Sequence, residues 1–149
     1  MEIKNLFDPE IKQQIIERIN KLTPDTERKW GKMNVSQMLA HLQLPLEVAY
    51  GTRTVKPNFF MKLIVPFFKK SLYDDTPWKQ NLPTDKSYIM TGEVKNFETE
   101  KIKLVGLIEK FSESAIKDLT HPVFGKMTLE QWSRSAWKHL DHHLKQFGV

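Results

Sequence analysis

Residues 128–147 read TLEQWSRSAWKHLDHHLKQF, and this stretch decides the fold. Thr128 followed three residues later by Gln131 is a capping-box pattern, which marks a helix start. Gly148, just past the stretch, is a helix stop. Between them, a helix turning about 100° per residue sorts the side chains by face. With His139 set at zero, His143 falls at about 40°, Trp132 at about 20°, Ala136 at about 60°, Leu129 and Phe147 at about 80° and Leu140 at about 100°. One face is therefore apolar, and His139 and His143 lie inside it, toward one edge. His142 falls at about −60°, on the side of Ser135 and Gln146, and faces outward or toward a rim. Asp141 points away from the histidine pair.

A second capping box, Asn34 with Gln37, opens an earlier helix that runs to Tyr50 and stops at Gly51. Pro45 lies inside it and predicts a kink or break there. With His41 at zero, Val48 falls at about −20°, Pro45 at about 40°, Met38 at about 60°, Ala49 at about 80° and Leu42 at about 100°. Ser36, Gln43 and Glu47 take the far side, so His41 is turned toward the interior.

Helical periodicity dominates the rest. Asp8-Pro9 reads as an N-cap followed by proline at the first helical position, and Ile11, Ile15, Ile19 and Leu22 recur at helical spacing. Thr23-Pro24-Asp25 ends that helix. Asn58 to Tyr73 predicts a third helix, bent or broken at Pro66. Asp74 to Gly92 shows no period and reads as a long, partly ordered crossover. Glu98 to Leu119 predicts a further helix through Ile102, Val105, Ile108, Phe111 (or Ser112), Ala115 and Leu119, ended by Thr120-His121-Pro122. Five helical stretches and no convincing strand predict an all-α bundle, one domain over residues 1–149.

The composition narrows the function classes. Among 149 residues, 40% are hydrophobic and 28% charged, as in an ordinary globular chain. There is no cysteine, which excludes disulfides, cysteine zinc fingers, iron–sulfur clusters and a cysteine nucleophile. Any thiol chemistry must draw its thiol from outside. The net charge of +5 is scattered, with basic runs no longer than pairs such as Lys69–Lys70, so no nucleic-acid partner is expected. The most apolar stretch, Asn58 to Phe68, is far shorter than the ~20 residues of a spanning helix and carries Lys62 and Pro66, so no membrane partner is expected either. The opening MEIKNLFDPE has acids and no apolar run, and a cytoplasmic location is expected.

The five histidines are His41, His121, His139, His142 and His143. A His pair at i, i+4 presents both rings on one face, one turn apart, where both can reach one ion. An inward His41 on a facing helix completes three ligands. Three neutral nitrogens without a carboxylate suit a divalent transition metal, zinc or nickel, rather than Mg²⁺ or Ca²⁺. They leave a coordination position open, as catalytic sites do. The alternative is that these histidines are interior side chains bonded to their neighbours. Leu140 stands where zinc proteases of the H-E-x-x-H type place their glutamate, so that chemistry is excluded. His121 reads as a turn residue capping a helix end, or else as a gate at the bundle mouth. Trp30 and Trp132 are the tryptophans expected nearest the site. The nearest acids in sequence, Asp141 and Glu47, point outward and supply no internal base. Thiol transfer, which needs a base less than hydrolysis does, ranks slightly first.

The stretch Trp30-Gly31-Lys32-Met33-Asn34-Val35-Ser36-Gln37-Met38-Leu39-Ala40-His41-Leu42 resembles the start of the second helix in the DinB/YfiT-like superfamily of metalloenzymes. His121-Pro122-Val123-Phe124-Gly125, Trp132 and the run Lys138 to Gly148 resemble one branch of it, a domain of unknown function. The resemblance implies a four-helix bundle with a long crossover and a short extra helix, often dimeric, so a homodimer is one assembly to look for. It implies a metal site of one histidine from the second helix and two, as His-x-x-x-His, from the last. His41, His139 and His143 match those positions. Characterised relatives include transferases using low-molecular-weight thiols such as bacillithiol, and a mycothiol-dependent isomerase. The expectation is a metal-dependent S-transferase, or a hydrolase, acting on a small electrophilic molecule. The rival is a non-catalytic metal-binding or stress-response module, which a fourth ligand from His121 or His142 would favour.

Overall fold

The computed structural model describes residues 2–56, 65, 67–82 and 90–149. Among them are four α-helices: α1 (Pro9–Asn20), α2 (Val35–Ala49), α3 (Phe97–Lys110) and α4 (Leu129–Gln146). Each starts where a polar cap meets a free backbone N–H. Asp8 accepts from Glu10 N, and Asn96 accepts from Thr99 N. The capping boxes Asn34/Gln37 and Thr128/Gln131 are both formed. The chain is mostly helical, and no helix among the described residues is long and apolar enough to cross a membrane.

α1 and α2 each pack on both α3 and α4. That places α1 across the core from α2, and α3 across from α4. The shared core includes Ile15, Ile19, Met38, Leu42, Leu104, Ile108, Leu140 and Leu144. α2 is covered on nearly every side, and this overturns part of the wheel. Gln43, expected on the far side, is buried. Its amide donates to Glu100 Oε2 at 2.7 Å on α3, so a buried hydrogen bond replaces solvent. α2 also continues through Pro45 without a break. Proline lacks the N–H that would bond the carbonyl four residues back, that of His41, so the helix runs on with one rung fewer.

α3 is shorter than its apolar pattern predicts. The helix ends at Lys110, and Phe111 turns to an extended backbone (φ −68°, ψ 111°). That turn buries Phe111 completely, stacked on Phe7 at 5.2 Å and edge-on to Tyr50 at 6.1 Å. Burial of a large ring outweighs one more helical turn. Leu119, counted in the helical stripe, is instead 36% exposed. Beyond a short 3-10 turn at Glu113–Ala115 the chain forms a two-residue hairpin where no strand was expected, β1 (Thr120–His121) with β2 (Gly125–Lys126). Thr120 pairs with Lys126 and His121 with Gly125. Gly125, at φ 68°, takes the left-handed conformation that closes this turn.

Half of the predicted third helix, Asn58 to Tyr73, lies outside the described residues, as does the expected break at Pro66. Its described end, 67–68, is helical and passes into a 3-10 turn at Lys69–Leu72. From there to Leu82 the chain forms a strap along α4. None of residues 67–82 is buried. Polar contacts from α4 hold the strap. Lys138 Nζ donates to Ser71 O (2.7 Å), Asp74 O (2.8 Å) and Asp74 Oδ1 (2.9 Å), and Arg134 donates to Tyr73 O (2.9 Å) and Asp75 Oδ1 (3.1 Å).

Candidate metal centre

α2 contributes His41, and α4 contributes His139 and His143, one turn apart. The three rings form a near-equilateral triangle. Their centroids are 4.9 Å apart for His41–His139, 4.7 Å for His41–His143 and 4.8 Å for His139–His143. One ring nitrogen from each falls within 4.8 Å of the others, so the three can hold a metal ion. His41 Nε2 and His139 Nε2 are 3.0 Å apart. Two nitrogens about 2.05 Å from a tetrahedral ion stand roughly 3.3 Å apart, so a small adjustment fits this pair to such an ion.

The tautomer of His143 follows from its neighbours. Gln146 donates its amide Nε2 to Trp30 O at 2.7 Å, which leaves Gln146 Oε1 as an acceptor, 2.7 Å from His143 Nδ1. Nδ1 therefore carries the proton and Nε2 keeps its lone pair for the centre of the triangle. A second partner that fixes ring and tautomer in this way is usual for metal-ligating histidines. Gly31 (φ 84°) lets the Trp30 loop approach closely, since a Cβ there would overlap the Gln146 amide nitrogen.

The electrostatics favour neutral rings. Burial, with the neighbouring His143 and His41 adding to it, holds His139 well below the usual imidazole range. Burial and then His41 push His143 down to about 3. Neutral imidazole is the form that binds a metal. No carboxylate and no fourth histidine joins the group among the described residues.

His142 sits at the rim, half-buried as expected, and burial lowers its pKa. Its ring lies 6.0 Å from Trp30 and 5.6 Å from Trp78. Trp78 also reaches His139, at 5.9 Å. The strap residue Trp78 thus provides the aromatic wall over the pair. The indole is oriented by Nε1 donating to Ser71 O at 2.7 Å, with Lys138 Nζ 5.6 Å from its ring.

Of the two tryptophans expected at the site, Trp30 is there and Trp132 is turned elsewhere. Trp132 packs against His121 at 5.1 Å, and its buried indole N–H has no hydrogen-bond partner among the described residues. His121 is a turn residue of the hairpin rather than a helix cap. Its Nδ1 accepts from Val123 N (3.0 Å) and Phe124 N (3.2 Å), and burial lowers its pKa to about 4. Asp141 does point away from the pair, but it is not at the surface. It is 3% exposed, held by Arg18 (2.9 Å) and Lys145 (2.7 Å). A carboxylate on the helix's second buried flank needs such cations. Glu47 is half-buried beside Arg53, at 3.5 Å.

Sequence reasoning missed Trp78, Lys138 and Gln146. Gln146 had a readable signal, since it stands three residues after His143 and so on the neighbouring turn. Trp78 had none, because a loop residue's position depends on where its loop is anchored.

The model of one protein family, DUF1569, described as a protein of unknown function, matches residues 7–148. No curated protein and no solved structure matches the chain.

Proposed function

Given that the chain belongs to the DUF1569 family, whose function is unknown, we propose from the site itself that the protein is a metal-dependent enzyme built on a DinB/YfiT-like bundle. His41, His139 and His143 are the residues that would hold a divalent transition metal, zinc or nickel. The observation that carries this reading is the triangle of ring nitrogens within 4.8 Å of one another, with no carboxylate or fourth histidine among the described residues. A bound ion of this kind lowers the pKa of a thiol or water that joins it.

The chain's own residues bind and orient. Gln146 holds the His143 ring with its lone pair inward. Trp78 lies against one side of His139, at 5.9 Å. Neither Asp141, engaged by Arg18 and Lys145, nor Glu47, engaged by Arg53, stands ready as a general base. That supports transfer of an external low-molecular-weight thiol to a small electrophile over hydrolysis.

One observation favours a second reading. His41 and His139 already hydrogen-bond each other at 3.0 Å, so these two rings satisfy each other without an ion, as in a non-catalytic binding module. A screen of metal-loaded protein against small thiols and electrophiles separates the two. Metal-dependent consumption of both thiol and electrophile supports the enzyme. No metal-dependent turnover, whether or not an ion binds, leaves the binding module.

A further inference from the structure

Beside the histidine triangle lies a cleft that none of its three rings lines. It is lined by Trp30, Pro77, Trp78, Gln80, His142 and Lys145, has a volume of about 120 Å³, and is floored by Lys138 and Asp141. An apolar cavity of ~150 Å³ accepts benzene, so one six-membered ring fits here with its edge in solvent. Both indoles meet the His142 ring at 64°. A planar ligand seated in the cleft has three aromatic side chains, Trp30, Trp78 and His142, on its lining to pack against.

The charges decide what that ring carries. Asp141 is shared between Arg18 at 2.9 Å and Lys145 at 2.7 Å, two cations on one carboxylate. Lys138 is balanced by Asp74 at 2.9 Å. The balance is one surplus positive charge. It sits on the side with room to move, since the Lys145 side chain is 58% exposed and that of Arg18 only 21%. An anionic group can draw Lys145 toward it while Arg18 keeps Asp141 compensated. A cationic ligand would have to compete with Arg18 and Lys145 for Asp141, the carboxylate both already engage.

We propose that this cleft is the substrate subsite of the protein and that it takes a single planar aromatic ring bearing one carboxylate, the ring against Trp30, Trp78 and His142 and the carboxylate on Lys145. This rests on the enzymatic reading above for its meaning, and on the cleft's own geometry for the binding.

The four indole N–H signals of Trp30, Trp78, Trp132 and Trp137 test it directly. Full-length ¹⁵N-labelled protein is titrated with benzoate, benzamide and benzylammonium, and the indoles are assigned from single Trp→Phe variants. Benzoate is expected to shift Trp30 and Trp78 and leave Trp132 and Trp137 in place. Benzamide is expected to bind about tenfold more weakly, and benzylammonium not at all at the same concentrations. Lys145→Gln, an exposed change that leaves the Arg18–Asp141 pair intact, is expected to weaken benzoate about tenfold and leave benzamide unchanged. Equal binding of the three probes, unchanged benzoate affinity in Lys145→Gln, no benzoate response at millimolar concentration, or shifts at Trp132 and Trp137 instead would each overturn the proposal. Cobalt(II) absorption on the same samples reports the histidine site separately. Benzoate binding without cobalt binding counts against the metal reading alone, and cobalt binding without a benzoate response counts against the cleft alone.

Discussion

His41 Nε2 and His139 Nε2 lie 3.0 Å apart, although 98 residues separate them in the chain. At that distance one ring donates and the other accepts. An ion entering the triangle needs a lone pair from each of these nitrogens, so the donating ring must shift its proton from Nε2 to Nδ1. Purified protein is expected to bind close to one divalent transition metal per chain. His41→Ala, His139→Ala and His143→Ala are each expected to lose it, and His142→Ala to keep it. Elemental analysis of protein purified without a histidine tag checks this. Equal loss from the His142 change would mean that the rim ring belongs to the set.

Gln146 acts through His143 rather than on the ion. Gln146→Ala removes both the acceptor for His143 Nδ1 and the donor to Trp30 O. Metal affinity is expected to fall about 10–100-fold, the usual cost of losing such an orienting partner. Competition with a chromophoric chelator measures it. Unchanged affinity would show that packing alone orients the ring.

Removal of the metal is expected to leave the helices formed. The core around Met38, Leu42, Leu104 and Leu144 is buried independently of the histidines, unlike the zinc-dependent cores of classical fingers. Circular dichroism with and without chelator is expected to give the same helical content and only a modest drop in thermal midpoint. Collapse on chelation would point to a structural ion.

Lys138 is fully buried, and its partner Asp74, whose carboxyl is held below its ordinary range by the Lys138 hydrogen bond, is one quarter exposed. Deleting the acid strands a buried cation. Asp74→Ala is expected to cost about 2 kcal/mol, below the ~3–5 kcal/mol of a fully buried pair. Lys138→Met is expected to cost less, since it removes the charge along with the need for a partner. Urea unfolding of both variants decides the order.

His121 gives the fold an acid sensitivity of defined sign. Its pKa is about 4 folded against 6.5 unfolded, so between those values the unfolded chain binds the extra proton. Stability from this group is complete above pH 6.5 and is lost as the pH falls toward 4, by roughly 3 kcal/mol in all. His121→Asn keeps a side-chain acceptor for the Val123 and Phe124 N–H groups and does not titrate. The stability gap between wild type and His121→Asn is expected to shrink as pH drops from 7 to 4. A constant gap would refute it.

Helix starts were the most legible feature, because a cap is a local bargain between one side chain and the N–H groups next to it. Both capping boxes and the Asp8 cap form as read. The inward turn of His41, His139 and His143 was legible for a related reason, since periodicity is a property of one helix at a time. What escaped depends on partners distant in sequence. Phe111 leaves its helix to reach Phe7 and Tyr50, and Gln43 and Asp141 are buried because Glu100 and Arg18 meet them. Amphipathic patterns record which residues are greasy, not which polar ones will find a mate.

The strap over the site contributes no buried residue from 67 to 82 and is tied down by polar contacts, chiefly those of Lys138 and Arg134. Segments with few buried apolar contacts open at a fraction of the global unfolding free energy. The amides of this strap therefore exchange with solvent deuterium long before those of α2 and α4, while the rest of the protein stays folded. Trp78 departs with it, so the histidines can be uncovered and covered again many times within the lifetime of one folded molecule.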